Sequence, residues 1–481
     1  MENDTPSARP QRGRLRLSRS SLAVVLLTAV VTAFSTAGSL KRYAEFESGW
    51  SWDLAYYNQW FWALTKGNGL LTVRPIAFYG TEGPSVWKMN YLSPVRFLIA
   101  PVYWLFPGPR TLLVIQNVVF WWIIPASYTL VRSESRSDRL ALAAAFLIPL
   151  TPILWPLAWN DFRELQLAMS FIIWAIQGVR ARSVRLAAVG IGGMLACRQE
   201  LALVAITFAA IPGREPEDIA TSYRWAQSLI LVGLGWFVFG FFGYLRLGVS
   251  QFAAEQYLGQ FGGPKPTLVE MLGTVPVFVI VGCGAWAFLA CAAPRIGVIA
   301  VPWVWTVCQG KWALRLLAEE SWHHVRYAAP ATAVLLAAGL IGYARIGRHL
   351  RERMNGRAAY LLWLSAAGVS LVCLFQVIGL MKSAPRPFGP TDLAAAKRWV
   401  AMVQPNDGVL ADYPVTAPLS SRSIIYSYVL EPNRPRDYPR LGAEFRWIFF
   451  ETSRYRRQLF EPQGFEVVHA GPSLMILRRT P

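Results

Sequence analysis

Ala358–Met381 reads AAYLLWLSAAGVSLVCLFQVIGLM, 24 consecutive residues without a charge. At 1.5 Å per residue, about 20 apolar residues cross the ~30 Å hydrocarbon core of a bilayer. Five more uncharged runs of at least 21 residues accompany it: Ser20–Leu40, Thr111–Val131, Leu140–Asn160, Trp225–Leu245 and Met271–Pro294. With the shorter apolar stretches they make roughly eleven segments, charged residues being kept to the gaps. The chain reads as an all-α polytopic membrane protein with about 11 to 13 transmembrane helices. A content of 54% hydrophobic residues and 21 Trp fits helices in lipid.

The net charge of +19 raises the question of nucleic acid. The cations cluster in Arg9–Arg19, Arg132–Arg139, Arg180–Arg185 and Arg345–Arg357, always beside an apolar run. That placement sets topology and meets anionic lipid headgroups, so membrane lipids are the expected partner and nucleic acid is not. The five cysteines (Cys197, Cys283, Cys291, Cys308, Cys373) lie in or at the edge of apolar segments without metal-ligand spacing, and read as small hydrophobes. Ser35-Thr36-Ala37 has the look of a cleavage site, but the preceding run is long for a signal peptide and reads as a retained anchor.

The basic tail, residues 1–19, belongs in the cytoplasm, and the first helix leaves the membrane near Leu40. An outer loop, 41–92, follows. Ser93–Val131 is interrupted by Pro107-Gly108-Pro109; because Arg132–Arg139 and Arg180–Arg185 both read as cytoplasmic, it makes one net crossing and Trp155–Gln166 lies outside. Leu186–Ile211 carries Arg198-Gln199-Glu200 at its middle and reads as two short helices meeting near the outer surface. Gly213–Arg224, Arg295 and Arg345–Arg357 are then inside, Leu247–Glu270 and Lys311–Arg326 outside. Parity favours eleven helices across residues 20–381, with thirteen as the alternative.

From Lys382 the composition changes. Asp392–Val403 has an amphipathic helical pattern, with Leu393, Ala396, Trp399, Val400 and Val403 on one face. Strand-like runs follow at Gly408–Tyr413, Ser423–Val429, Trp447–Glu451, Phe465–His469 and Ser473–Leu477, separated by turn sequences. Residues 382–481 therefore read as a small extracytoplasmic α/β domain.

This topology puts the polar clusters on one side of the membrane. They are Trp52 and Asp53 with Tyr56, Tyr57, Asn58 and Gln59; Asn90; Asn160-Asp161-Phe162-Arg163-Glu164; Arg198-Gln199-Glu200; and His323-His324-Val325-Arg326-Tyr327. Asp53 suits a base toward an acceptor hydroxyl, with Asp161, Glu164 and Glu200 as supporting acids or ligands to a divalent cation, Mg or Mn. Arg163, Arg198 and Arg326 suit a phosphate through forked hydrogen bonds. Trp52, Tyr56, Tyr57, Asn58, Gln59, Asn90, His323, His324 and Tyr327 are candidates to line a substrate. Each has a plainer reading. Asp53 is equally a helix-capping residue, Arg198 and Glu200 a pair that makes a helix junction tolerable in lipid, and His323-His324 an interfacial polar pair lacking i, i+4 ligand spacing.

At these clusters the chain resembles the bacterial membrane family known as domain of unknown function 2079, itself similar to GT-C glycosyltransferases. The resemblance lies in Asp53-Leu54-Ala55-Tyr56-Tyr57-Asn58-Gln59, Asn90-Tyr91-Leu92-Ser93-Pro94, Asn160-Asp161-Phe162-Arg163-Glu164-Leu165, Arg198-Gln199-Glu200-Leu201-Ala202 and His324-Val325-Arg326-Tyr327-Ala328-Ala329-Pro330. The chain departs from the family pattern at Asn90, where His is usual, at Arg163-Glu164 and at Arg198-Gln199-Glu200. The resemblance implies a multi-helix scaffold in a bacterial plasma membrane that takes a sugar from a polyprenyl-phosphate carrier on the outer face. It also implies that Asp53 matches the catalytic acidic residue of the first outer loop.

The leading expectation is inverting transfer of that sugar to an extracytoplasmic glycan, lipid or protein. A lipid or polysaccharide transporter is the first alternative, weakened by the lack of internal repeats. A non-catalytic envelope scaffold docking through its carboxyl-terminal domain is the second.

Overall fold

A computed structural model describes residues 18–47, 52–67, 69–71, 85–87, 91–244, 278–304, 328–354, 357–383, 386–427, 441–454 and 463–480, with single positions between them. The helices begin with α1 (Arg19–Ala44), α2 (Trp52–Thr65), α3 (Val95–Leu105), α4 (Pro109–Phe120) and α5 (Ile123–Ser135). They continue with α6 (Asp138–Leu147), α7 (Leu154–Ala158), α8 (Glu164–Arg180), α9 (Val184–Cys197), α10 (Ala202–Thr207) and α11 (Ile219–Val238). After α12 (Ala285–Ala290) and α13 (Pro294–Gly297) come two long helices, α14 (Ala329–Arg353) and α15 (Arg357–Ser383).

Among the described residues, five stretches are long and apolar enough to cross a membrane: Arg19–Ala44, Pro109–Ser135, Ile219–Phe241, Ala329–Arg353 and Arg357–Gly379. This measure, which covers the described residues, does not confirm the expected eleven, and backbone chemistry accounts for two of the stretches that fall short of it. Leu140–Asn160, which reads as one span, is instead α6, a 3-10 turn at Ile148–Leu150 and the short α7, broken at Pro149 and Pro152. Ahead of Pro107-Gly108-Pro109, the 11 residues of α3 extend only about 16 Å, so α4 and α5 make the crossing there. The break at Arg198-Gln199-Glu200 falls where the sequence places it: Arg198 is extended (φ −160°, ψ 146°) between α9 and a 3-10 turn.

Small residues bring the helices close. A Cβ on Gly178 of α8 would fall on the backbone of Ala187, and one on Gly190 of α9 on that of Ala175, so this hairpin packs backbone to backbone. Gly339 and Gly342 of α14 likewise admit the backbone of Trp286 and Leu289 in α12. The result is a central α14 buried along nearly its whole first five turns.

The loops with an expected cytoplasmic address meet at one end of the bundle. Arg180 donates to both oxygens of Glu134 (2.6 and 2.8 Å) and to Pro212 O (3.2 Å). Arg348 reaches Glu134 O at 3.4 Å, Arg136 pairs with Glu215 at 2.9 Å, and Arg345 caps Ala292 O at 2.9 Å. Arg182 pairs with Glu217, whose carboxyl this hydrogen bond holds down at about 2.

Beyond α15 lie α16 (Pro390–Met402), β1 (Gly408–Ala411), α17 (Tyr413–Leu419), β2 (Ile425–Ser427), β3 (Phe445–Glu451), β4 (Phe465–Ala470) and β5 (Leu474–Arg479). The sheet runs β2-β1-β3-β5-β4, with β1 parallel to β2 and β3, and β5 antiparallel to β3 and β4. All five strand-like runs become strands. Tyr413, read as the end of the first, instead opens α17. Helix α16 lays Ala396, Leu393, Trp399 and Val400 on the core, with Trp399 and Trp447 rings 5.7 Å apart.

Candidate active site

Helix α2 starts with an acidic first turn, which its N-terminal partial charge favours. Asp53 and Tyr57 stand at i and i+4 and share a face. That face meets the start of α8, where Arg163 holds the extended N-cap position (φ −153°, ψ 147°) and Glu164 the first helical one. Consecutive residues thus present opposite charges to consecutive turns of α2. Arg163 Nε donates to Asp53 Oδ2 at 3.0 Å, and its Nη2 closes on the same oxygen. Tyr57 donates its hydroxyl to Glu164 Oε2 at 2.6 Å, and Arg96 Nε donates to Glu164 Oε1 at 2.5 Å. Arg96 and Glu164 are both fully buried, and the Arg96 guanidinium lies over Tyr57 (4.8 Å) and Trp60 (5.3 Å).

The turn leading into α8 is held by Gln116 of α4. Its amide donates to Ala158 O (3.2 Å) and Asn160 O (2.9 Å) and accepts from Arg163 N (2.9 Å). Asn160 caps Asp161 N at 2.8 Å, and Asp161 is buried within electrostatic reach of Arg42 at the end of α1. The neighbouring Asn117 ties α4 to α1 through Ser35 (2.5 Å) and Ser39 (3.0 Å). Arg198 pairs with Glu200 (2.7 Å) and lies over the Tyr91 ring at 3.7 Å, while Gln199 Oε1 accepts from Leu92 N. Tyr57 is within electrostatic range of Arg96, Arg163 and Arg198 together.

The structure therefore brings Asp53, Tyr56, Tyr57, Asp161, Arg163, Glu164, Arg198 and Glu200 to the end of the bundle where α8 begins. That is opposite the arginine-rich end, where α8 terminates in Arg180. The junction reading of Arg198 and Glu200 holds geometrically, since the two do pair. Asn58 and Gln59 turn away from this face. Asn58 Nδ2 donates to Ser420 Oγ (2.8 Å) and Ser421 Oγ (2.9 Å), and Gln59 Nε2 to Arg422 O (3.1 Å). Asn90, His323, His324, Arg326 and Tyr327, with the side chain of Trp52, lie outside the described residues.

Sequence reasoning passed over Arg96, Gln116 and Tyr103. The signal for Arg96 was present, a lone cation inside an apolar helix, which lipid tolerates only with a partner. Gln116 and Asn117, adjacent amides in the uncharged run Thr111–Val131, carried the same signal more faintly.

Among the described residues, no group of three or more His, Cys, Asp or Glu side chains is placed to hold a metal ion. The carboxylates expected as ligands face guanidinium groups instead: Asp53 faces Arg163, Glu164 faces Arg96, Glu200 faces Arg198, and Asp161 lies within reach of Arg42. Among the described residues, four carboxylates thus stand against four guanidinium groups, an arrangement that leaves no open cluster of metal ligands there. It does supply what a phosphate needs, guanidinium groups already gathered in one place.

The model of the family described as "Predicted membrane protein (DUF2079)" matches residues 42–466. The chain belongs to this family. The match runs from the end of α1 through α2 and the bundle to the start of β4, so it takes in the whole charged cluster. None of the curated proteins matches the chain. Among solved structures it is similar to ArnT from Cupriavidus metallidurans bound to undecaprenyl phosphate, with a TM-score of 0.57 at 11% identity over 96% of this chain and 100% of that one. The apo form of the same protein gives a TM-score of 0.54 at 12% identity over the same shares. At such identities the likeness is one of fold, and the fold is that of the GT-C glycosyltransferases.

Proposed function

We propose that this protein transfers a sugar from a polyprenyl-phosphate donor to an extracytoplasmic acceptor, a glycan, lipid or protein. The observation that carries the reading is the pairing of Asp53 with Arg163 beside that of Glu164 with Arg96, at the bundle end opposite the arginine-rich loops. By the positive-inside rule those loops are cytoplasmic, so the site opens to the outer face of a bacterial plasma membrane, as does the sheet of residues 382–481. The fold match includes ArnT bound to undecaprenyl phosphate, a ligand of the class proposed here.

In this reading the acceptor hydroxyl attacks the anomeric carbon while the bond from that carbon to the phosphate oxygen breaks. The bonding pair leaves with the phosphate, and the hydroxyl proton passes to Asp53. Arg163 and Arg198, joined by Arg326, stabilise the departing anion; preorganised cations aimed at developing charge usually contribute most to such catalysis. Arg163 serves both partners of the step in this reading: it orients the Asp53 carboxylate and receives the phosphate. Tyr56 is the aromatic group for the sugar, while Tyr57 carries Arg96 on its ring and anchors Glu164. Asp161, Glu164 and Glu200 act by holding the guanidinium groups in place.

The test is reconstitution into liposomes with a panel of radiolabelled polyprenyl-phosphate sugars, run beside Asp53→Asn. Carrier release that requires Asp53 supports the reading. Equal release by Asp53→Asn removes the base role, and no binding or release across the panel by folded protein counts against the donor class.

A further inference from the structure

Helix α2 is held from two sides, and only one of them is the charged face. Its other side is fastened to the carboxyl-terminal unit. Asn58 is fully buried and satisfied on every side: its amide nitrogen donates to Ser420 and Ser421, and its oxygen accepts from Tyr103 at 2.7 Å. Gln59, also fully buried, donates to Arg422 O at 3.1 Å. The receiving turn is itself rigid. Arg422 donates to Leu419 O (2.6 Å), Gln404 O (3.1 Å) and Asp407 O (2.9 Å), binding the end of α17 to the turn before β1. Burial lowers this guanidinium to about 10, against the pull of Asp407, so it remains a cation at neutral pH. A second seam runs alongside: the Phe46 and Phe388 rings lie 5.7 Å apart, and Arg386 pairs with Glu47 at 3.2 Å.

We infer that Asn58 and Gln59 are positioning residues, through which the carboxyl-terminal unit sets the pose of α2 and of Asp53. The angular arithmetic supports this. Five residues along a helix turn the side chain by about 140° and advance it about 7.5 Å, so Asn58 cannot share the face of Asp53. The charged face fixes α2 to the start of α8 through Asp53–Arg163 and Tyr57–Glu164. A buried amide with three hydrogen bonds on the other flank adds a second anchor, because any roll leaves Asn58 unpaired in an apolar setting. The catalytic part of the inference rests on the transferase reading; the mechanical part does not.

The test alters the carboxyl-terminal unit and leaves α2 untouched. Ser420→Ala/Ser421→Ala removes both acceptors of the Asn58 amide, and Ser420→Thr/Ser421→Thr keeps them. In full-length protein in nanodiscs, hydrogen exchange across residues 52–65 is compared with exchange across the α8–α9 hairpin. With a donor that the wild type turns over, kcat and KM are measured as well. The expected result is at least tenfold faster exchange in α2 with the hairpin unchanged, a tenfold or greater fall in kcat, KM within twofold, and recovery of both readouts in the threonine variant. Unchanged α2 exchange in the alanine variant overturns the inference. So does altered α2 exchange with wild-type kcat, which would leave the contact structural only. If the wild type turns over no donor, the transferase reading fails, and the exchange arm decides the coupling of α2 to the carboxyl-terminal unit.

Discussion

Replacing Glu164 with Gln should be among the most damaging isosteric changes in this protein. The side chain is fully buried, as is its partner Arg96, and their closest approach is 2.5 Å. The glutamine amide would keep an acceptor for the Tyr57 hydroxyl, so the loss is one of charge. Removing one member of a buried pair strands the other, at about 3–5 kcal/mol. Arg96 has no second partner to turn to, since its Nη1 and Nη2 are already buried without a hydrogen bond. Its stacking on Tyr57 and Trp60 is present before and after the change and so does not alter the difference. The net expectation is a loss of about 3–5 kcal/mol. Arg96→Met/Glu164→Gln removes both charges at similar volume and should return to within about 1 kcal/mol of wild type. Unfolding by SDS titration in mixed micelles, followed by tryptophan fluorescence, gives all the corners of this cycle. An Arg96→Met/Glu164→Gln protein no more stable than Glu164→Gln would refute the reasoning, because the damage would then lie in shape and not in stranded charge.

Gly190→Ala drives a Cβ onto the backbone of Ala175 and should cost about 1–3 kcal/mol, seen as a reduced monodisperse peak in size exclusion. Gly192→Ala, with nothing within 4 Å, should be neutral or mildly stabilising by helix propensity. Arg180→Met strands Glu134 and should lower stability by about 3 kcal/mol, whereas Arg136→Ala, removing an exposed pair, should stay within about 0.5 kcal/mol. Burial opposes the charge on Asp392, but hydrogen bonds from Ser473 and His469 outweigh it and hold the carboxyl below its ordinary range. A lowered folded value means stabilisation that is complete above the unfolded value of about 3.9 and lost as pH falls through the folded one. Hydrogen exchange in the β4–β5 hairpin should therefore accelerate below about pH 4 in the wild type and lose that dependence in Asp392→Asn.

The long uncharged runs and the short carboxyl-terminal strands were legible because each depends on residues near one another in the chain. A span announces itself by composition, and β1 to β5 as short runs of β-prone residues between turn residues. Leu140–Asn160 misled for the converse reason. Hydropathy averages over a window, whereas Pro149 and Pro152 act locally by removing a backbone donor and blocking the preceding turn. The break at Arg198 was readable because a charge in lipid is itself a local anomaly. Positive-inside reasoning then grouped the loops, and the structure does gather Arg132–Arg139, Arg180–Arg185 and Arg345–Arg357 at one end.

The partners of the site residues were a different matter, because pairing is set by packing across long stretches of chain. Tyr57 and Glu164 are 107 residues apart, Asp53 and Arg163 110, Arg96 and Glu164 68. Charge balance nonetheless constrains them. In a low-dielectric bundle an unpaired charge is expensive enough that cations and carboxylates near lipid must come in matched numbers. Asp53, Glu164 and Glu200 outnumber Arg163 and Arg198 by one, and Arg96, a cation within the apolar α3, supplies the third guanidinium. The same pairing bears on the proposed transfer. On that reading, a phosphate entering beside Arg163 would compete with Asp53 for its guanidinium, so donor binding would loosen the pair. The carboxylate would then be freed for the acceptor proton only when there is a leaving group for the arginine to receive.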